Sequence, residues 1–485
     1  MRVFGGSGID NYTNTGLLGA SFGTLFRGGA GNDVVISSNE ASGRFFGGAD
    51  DDYIRIGGSN NILKGGDGND TLIVESGNGN TAFGGRGNDI IQVNNVEAIN
   101  DTGFPADFNS ASPIIINDIY VRGQDGNDSI FVNDVVGAEI YGNRGNDFIA
   151  TLNVTNAIVN GGSGDDTFRI QESRDGSDLN STYEGKSGND TFEIFGSGLT
   201  VRGGSGNDSF STFSQAIRNN QIYGDGGDDS MFIANGSNNE IDGGSGSDEI
   251  TLQASSSVVN NLVRGGEGDD VITLGRNATL NTVLGGNGAD EIILTGNASN
   301  NTIYGDDGND HIHGSARDEF GLTTYSGRNN RIIGGGGDDV LGGRQETYVF
   351  SEGSGRDTVN DTGGSILEFN LNNFNVVEDF QINYDSNSEI LTFSQSTTAS
   401  VEFKTDSTLS NFGAILIKDD VTKSSLITSS VMNQILAGMQ TFGGTSAQLG
   451  LVTIPWDNGT TLTTGVNFSV DGNIVATVNG AFSVL

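Results

Sequence analysis

One six-residue pattern, Gly-Gly-x-Gly-x-Asp, constrains this chain more than any other feature. Its last residue falls at Asp10, Asp33, Asp52, Asp70, Asp89, Asp128, Asp147, Asp166, Asp190, Asp208, Asp229, Asp248, Asp270, Asp290, Asp310 and Asp339, sixteen copies with most gaps between 18 and 24 residues. The residue two after each Asp is apolar in all sixteen, from Tyr12, Val35 and Ile54 to Ile292, Ile312 and Leu341, in a chain with only 34% hydrophobic residues. Glycines permit φ > 0 and close backbone approach, so each copy reads as a turn followed by a very short strand with one side chain aimed inward. A single unit of this kind cannot bury its apolar face. Stacking the units into a solenoid, each coil covering the next, solves that problem.

A second regularity lies between the copies. Nine residues before the motif Asp stands an Asn in eight coils, at Asn61, Asn80, Asn220, Asn239, Asn261, Asn281, Asn301 and Asn330. The coil is therefore two nine-residue halves with chemically different edges: a row of carboxylates on one, a ladder of stacked amides on the other.

These residues resemble the RTX (repeats-in-toxin) proteins, whose nonapeptide Gly-Gly-x-Gly-x-Asp-x-U-x forms a parallel β-roll that binds Ca²⁺. Gly28-Gly29-Ala30-Gly31-Asn32-Asp33-Val34-Val35-Ile36 and Gly203-Gly204-Ser205-Gly206-Asn207-Asp208-Ser209-Phe210 match at every specified position, and the resemblance covers about residues 1–361. It implies an all-β fold: a right-handed parallel β-roll or β-solenoid, here followed by a small β-rich C-terminal domain containing one helix. It also implies calcium ions between stacked turns, each held by two of the sixteen motif Asp carboxylates and by glycine-turn carbonyls. The implied carbonyl positions are Gly28 and Ala30, Gly65 and Asp67, Gly84 and Arg86, Gly161 and Ser163, Gly203 and Ser205, Gly243 and Ser245, Gly265 and Glu267, Gly285 and Asn287, and Gly305 and Asp307. The Asn edge lacks carboxylates, so one main calcium row is expected. Some turns depart from the pattern: Asp50 replaces the third Gly of its motif, while Gln124, Asn143 and Lys186 replace the second Gly in theirs. Lys186 is expected to weaken its local site.

Charge arithmetic agrees with calcium. The formal net charge is −39, and residues 1–361 hold 51 acidic against 20 basic residues, an excess of 31 negative charges. About fifteen divalent ions between sixteen turns carry about +30, close to cancellation. Ca²⁺ takes six to eight oxygens in flexible geometry, whereas Mg²⁺ demands a rigid octahedron and keeps its waters. Without a counter-ion, carboxylates spaced at about 4.8 Å repel, so the repeat region is expected to fold only on binding calcium. The competing reading, plain Gly/Asn/Asp turns that need no metal, does not account for Asp stacked on Asp in layer after layer.

Composition removes other classes. With 78 Gly but 3 Pro the chain is not collagen. It has no run of Lys/Arg, which argues against nucleic acid and anionic lipid as partners. It has no apolar stretch of about 18 residues to insert in a membrane, and no Cys for disulfides or thiol catalysis. The residues from Met1 to Gly6 do not read as a cleavable export signal.

The motif spacing jumps between Asp89 and Asp128 and between Asp310 and Asp339, marking insertions near 100–113 and 315–327. They read as tolerated surface loops, with partner binding as the alternative. Past Asp361 the glycine rhythm ends. Ser365 to Phe369 and Ala414 to Ile417 read as strands, Val466 to Val478 as a hairpin about Asp471-Gly472, and Ile427, Val431, Ile435 and Met439 sit at helical spacing. Residues 362–485 are thus expected to be a β-rich cap over the last coil, with Trp456 in its core. In RTX proteins the uncleaved C-terminus usually carries a type I secretion signal, and Ala481 to Leu485 are similar to one.

Catalytic signatures are missing. His311 and His313, the two histidines, are not in His-Glu-x-x-His spacing and read as an exposed pair on one side of a strand. No Gly-x-Ser-x-Gly elbow or phosphate loop occurs. The leading expectation is a secreted, non-enzymatic, calcium-binding structural protein that assembles with copies of itself into a surface layer, filament or extracellular matrix, its first coil, at Gly5, docking on another molecule. The alternatives are a calcium-dependent adhesin for cell-surface polysaccharide and an RTX-type secreted enzyme with an unrecognised site.

Overall fold

The computed structural model describes residues 1–14, 21–94, 115–171, 179–212, 217–253, 257–314, 328–351, 354–361 and 364–370. Beyond these it describes the strands Gln381–Asp385, Ile390–Ser394, Ser400–Lys404, Phe412–Asp420, Lys423–Thr428, Ser446–Leu451, Thr463–Val470 and Asn473–Ala481. Among the described residues the fold is all-β, a parallel β-solenoid with no helix. The chain divides into two compact units, Met1–Ser245 and Gly246–Leu485. This division does not coincide with the end of the glycine repeat.

Each coil is built as the motif dictates. A six-residue strand such as Ile62–Asp67 runs into the glycine turn, Asp70 closes the turn, and a four-residue strand, Thr71–Val74, follows on the opposite side. The turn needs left-handed backbone at its second and fourth positions, with φ of +137° at Gly66 and +140° at Gly68. Where the second position is not glycine the backbone keeps the sign of φ at a smaller angle, from 72° to 91° at Gln124, Asn143, Lys186, Asp225 and Asp306.

In the first unit the coils stack in strict register, Leu72 lying beside Ile54 on one side and Ile91 on the other. The insertion between Asp89 and Asp128 does not interrupt the stack. Thr81 pairs with Tyr120, and Ile91 with Ile130. Residues 95–114 themselves, and 315–327 in the second unit, lie outside the described residues. Alternation sends the apolar residue two after each motif Asp inward, and all sixteen are buried. Opposite them the second residue of each six-residue strand closes the core, as Phe45, Leu63, Val121 and Tyr183 do. Register repeats identical side chains at coil spacing: Phe168, Phe192 and Phe210 form a stack with ring centroids 4.6 and 4.9 Å apart and planes within 4°. On the outward face of the same unit, Arg27, Phe46, Lys64, Phe83, Arg122 and Tyr141 occupy successive register positions. Cations thus alternate with aromatic rings, Lys64 lying 4.9 Å from the Phe83 centroid and Arg122 5.0 Å from that of Tyr141.

In the second unit parallel pairing continues beyond Asp361. Arg356–Asp361 pairs with Val340–Gly343 and with Ser400–Lys404, and Ser365–Asn370 with Thr347–Ser351 and Phe412–Asp420, all parallel. Antiparallel pairs then take over. The expected hairpin is present, Thr463–Val470 against Asn473–Ala481 with Val466 opposite Val478. The expected helix is not supported at its start. Ile427 lies in the strand Lys423–Thr428, opposite Ile415, because Lys423-Ser-Ser-Leu-Ile-Thr is short and pairs with the β-branched run before it. Val431, Ile435, Met439 and Trp456 lie outside the described residues.

The stacked rings yield a direct test. Phe192→Ala opens a cavity between two parallel neighbours and is expected to lower the unfolding free energy in calcium buffer by about 3–5 kcal/mol, measured by denaturant titration.

Candidate metal centre: the aspartate edge

The motif aspartates form a hydrogen-bonded row in each unit. In the first, Oδ1 of Asp33, Asp52, Asp70, Asp89, Asp128, Asp147, Asp166, Asp190, Asp208 and Asp229 accepts the backbone N–H of the motif Asp one coil earlier, at 2.7–2.8 Å. In the second, Asp270, Asp290, Asp310, Asp339 and Asp357 do the same at 2.8–3.2 Å. The row crosses both insertions unbroken, Asp89 to Asp128 and Asp310 to Asp339.

The other carboxylate oxygen is the informative one. Oδ2 is buried with no hydrogen-bond partner at Asp33, Asp52, Asp70, Asp89, Asp128, Asp147, Asp166, Asp190 and Asp208 in the first unit, and at Asp270, Asp290, Asp310 and Asp339 in the second. A buried anion without a partner is costly, and here it recurs layer after layer. The amide edge is an internal comparison. Asn Oδ1 also accepts the preceding coil's N–H, from Asn61, Asn281 and Asn301 to Asn80, Asn301 and Asn330 at 2.9 Å. Its Nδ2 then donates to a carbonyl, as Asn80 does to Gly77 at 2.8 Å, Asn220 to Gly196 at 3.0 Å and Asn301 to Ala278 at 3.0 Å. One edge is therefore satisfied by protein alone and the other is not.

The space facing Oδ2 is a cradle kept open by glycine. A Cβ added at the first motif position, at Gly28, Gly65, Gly84, Gly161, Gly203, Gly265, Gly285 or Gly305, would collide with Oδ2 of its own motif Asp. The first-position carbonyl of the next coil faces the same space: the Cβ on Gly142 would meet Gly161 O at 2.6 Å, and that on Gly285 would meet Gly305 O at 2.6 Å. Gly243 O faces Gly224 in the same way. Carboxylate and carbonyl oxygens converging on one space are a donor set for a hard cation, and the residues present fit Ca²⁺. Bound there, calcium supplies the positive charge that the Oδ2 row lacks.

The carbonyl positions expected from the sequence separate into two groups. First-position carbonyls face the cradle at Gly28, Gly161, Gly203, Gly243, Gly285 and Gly305. Third-position carbonyls are drawn into the backbone ladder: those of Ala30, Arg86, Ser163, Ser205, Ser245, Glu267, Asn287 and Asp307 each accept the N–H of a Gly in the preceding coil, at 2.6–3.0 Å. Asp67 is level with them in register, beside Ala49 and Arg86, and its side chain faces Arg86 at 3.6 Å on the surface. Asp10 differs from the other motif aspartates, its Oδ2 accepting the N–H of Gly6 at 2.8 Å. The Lys186 ammonium pairs with Glu184 on the outer face.

Three features escaped the sequence reading. Asp357 continues the row, and its signal was Gly353-Ser354-Gly355-Arg356-Asp357 with Glu352 where the first Gly belongs. Ser181 does the work of the ladder Asn, its Oγ accepting the N–H of Ala157 at 3.0 Å. The fifth motif position forms an exposed ladder of its own, Asn69, Asn88, Asn127 and Asn146 each accepting the next coil's N–H, visible in the sequence as recurrent Asn or Asp before the motif Asp.

Electrostatics follow from burial. Desolvation pushes Asp70, Asp128, Asp190 and Asp339 up to about 6, Asp52, Asp147, Asp208, Asp270 and Asp310 to about 7, and Asp89, Asp166 and Asp357 to about 8. The accepted backbone N–H opposes the rise, and neighbouring carboxylates add to it in most coils. Asp33 and Asp290 are raised for the same leading reason.

Known proteins bear on this edge. The model of the RTX calcium-binding nonapeptide repeat (4 copies) matches residues 46–80, 76–95, 231–254, 260–280, 284–316 and 326–345, segments that contain Asp52, Asp70, Asp89, Asp248, Asp270, Asp290, Asp310 and Asp339. These segments of the β-solenoid therefore carry RTX-type calcium-binding repeats. Among solved structures, it is similar to a hyperactive, Ca²⁺-dependent, β-helical antifreeze protein from an Antarctic bacterium, with 19% identity over 66% of this chain and 86% of that one and a TM-score of 0.39. No curated protein matches it by sequence.

Two outcomes are expected. Folded-state carboxyl pKa values raised above the unfolded value mean that the calcium-free fold is favoured in acid and loses stability as pH rises through about 6–8. Circular dichroism in chelator is therefore expected to show more β-structure at pH 5 than at pH 8. Gly142→Ala, which fills the cradle at Asp147, is expected to raise the calcium concentration at the folding midpoint. Gly6→Ala, with nothing within 4 Å of the added Cβ, leaves that midpoint unchanged.

Proposed function

We propose that this protein is a secreted, non-enzymatic structural protein that folds on Ca²⁺ outside the cell and assembles with copies of itself into a surface layer, filament or extracellular matrix. The row of buried, unpartnered Oδ2 atoms carries the calcium-dependent part of this reading. Repeated carboxylates suit the calcium range of extracellular modules, about 10⁻⁴–10⁻³ M. Among the described residues no helix is long and apolar enough to cross a membrane.

Assembly is supported by the strand Arg2–Phe4. Among the described residues its strand partner is Leu25–Ala30, on one side, and beside it Phe4 is 63% and Ile9 70% exposed. Exposed apolar side chains beside a strand are a surface on which another chain can dock. A second reading, an adhesin for cell-surface polysaccharide, is favoured by the outward ladder of Phe46, Phe83 and Tyr141, since ring faces stack on sugars.

Calcium titration of the chelated protein, followed by circular dichroism and light scattering, tests both readings. Folding followed by growth in scattering is expected, with growth abolished in the Phe4→Glu/Ile9→Lys variant while folding persists. Folding without growth, together with retention on polysaccharide, supports the adhesin instead.

A further inference from the structure

The first unit and the aspartate edges offer only oxygen donors, but the second unit contains a cluster of different chemistry. Glu291 begins the strand Glu291–Leu294, and the next strand in the ladder is His311–Gly314. Register places Glu291 beside His311 and Ile293 beside His313. Ile292 and Ile312 point into the core, so alternation sends Glu291, His311 and His313 together to the outer face. The two imidazoles are in ring contact, centroids 4.3 Å apart. His313 Nε2 lies 3.0 Å from Glu291 Oε1. One donor atom from each of the three residues falls within 4.8 Å of the other two.

We propose that Glu291, His311 and His313 form a surface site for a divalent transition metal of the Zn²⁺ class, separate from the calcium row. Two imidazole nitrogens and one carboxylate oxygen are a borderline-soft donor set that suits Zn²⁺, Ni²⁺ or Cu²⁺ and is poor for Ca²⁺. Tetrahedral Zn²⁺ with bonds of about 2.0–2.1 Å places its ligand atoms about 3.3 Å apart. The His313–Glu291 pair is already near that separation, and rotation of the His311 side chain brings in the third ligand. The metal replaces the proton that the Nε2–Oε1 contact shares, and water completes the fourth position. The scaffold is rigid: both strands lie inside the parallel ladder, flanked by Val271–Leu274 and Val340–Gly343. Val340, beside His311, and Ile293, beside His313, border the donors with hydrocarbon, which lowers the competition from water.

The test uses the full chain in millimolar calcium, titrated with Zn²⁺. Because His311 and His313 are the only histidines, their imidazole ¹⁵N resonances report the site in the unaltered protein. One equivalent of Zn²⁺ is expected to shift both rings, and calorimetry is expected to show one tight step. His311→Ala/His313→Ala, with its circular dichroism in calcium unchanged, is expected to weaken that step at least about tenfold, and Glu291→Gln to weaken it less. Imidazole resonances that do not respond to Zn²⁺ overturn the proposal. So does an isotherm that survives the double substitution, since zinc then binds the aspartate row.

Discussion

Every layer of this protein depends on where the two oxygens of one carboxylate go. Oδ1 of the motif Asp takes the backbone N–H of the coil before, which fixes the side chain along the stack at 2.7–2.8 Å in the first unit. From Asp33 to Asp208, and again from Asp270 to Asp339, Oδ2 is thereby held in the glycine cradle, out of water and without a donor. The glycine at the first position follows from that placement, because any Cβ would occupy the same space. The rise in carboxyl pKa follows too, since burial is its leading cause in coil after coil.

The two edges differ by a single group. Asn and Asp make the same bond through Oδ1, but Nδ2 donates to a neighbouring carbonyl whereas Oδ2 repels it. One edge is thus complete as polypeptide, and the other needs a cation. The proposed coupling of folding to calcium binding rests on this difference: the core residues stack only if the turns stack, and stacked turns on the aspartate edge bring their carboxylates together.

Much of this was legible in advance because the repeat enforces it. An apolar residue two after each Asp has one place to go once a turn and a strand alternate, and all sixteen went there. The amide ladder was legible from Asn at a constant offset. What escaped reading were substitutions that keep a role while changing the letter: Ser181 for Asn, Asp225 and Asp306 for the second Gly, and the degenerate turn ending at Asp357. A hydroxyl accepts an N–H as an amide does, and a short polar side chain tolerates left-handed backbone, so geometry survives where the pattern fails.

From sequence alone the chain's coil length, its two unlike edges, its inward apolar column and its demand for divalent counter-charge were determined, since each follows from a periodic residue type. Tertiary structure decided which atoms share a layer. It separated first-position carbonyls, which face the cradle, from third-position carbonyls, which serve the ladder, and it turned Lys186 outward to Glu184. It also brought Glu291 beside two histidines 20 and 22 residues away. Those outcomes rest on register between coils, and register is a property of the stacked backbone that no single repeat contains.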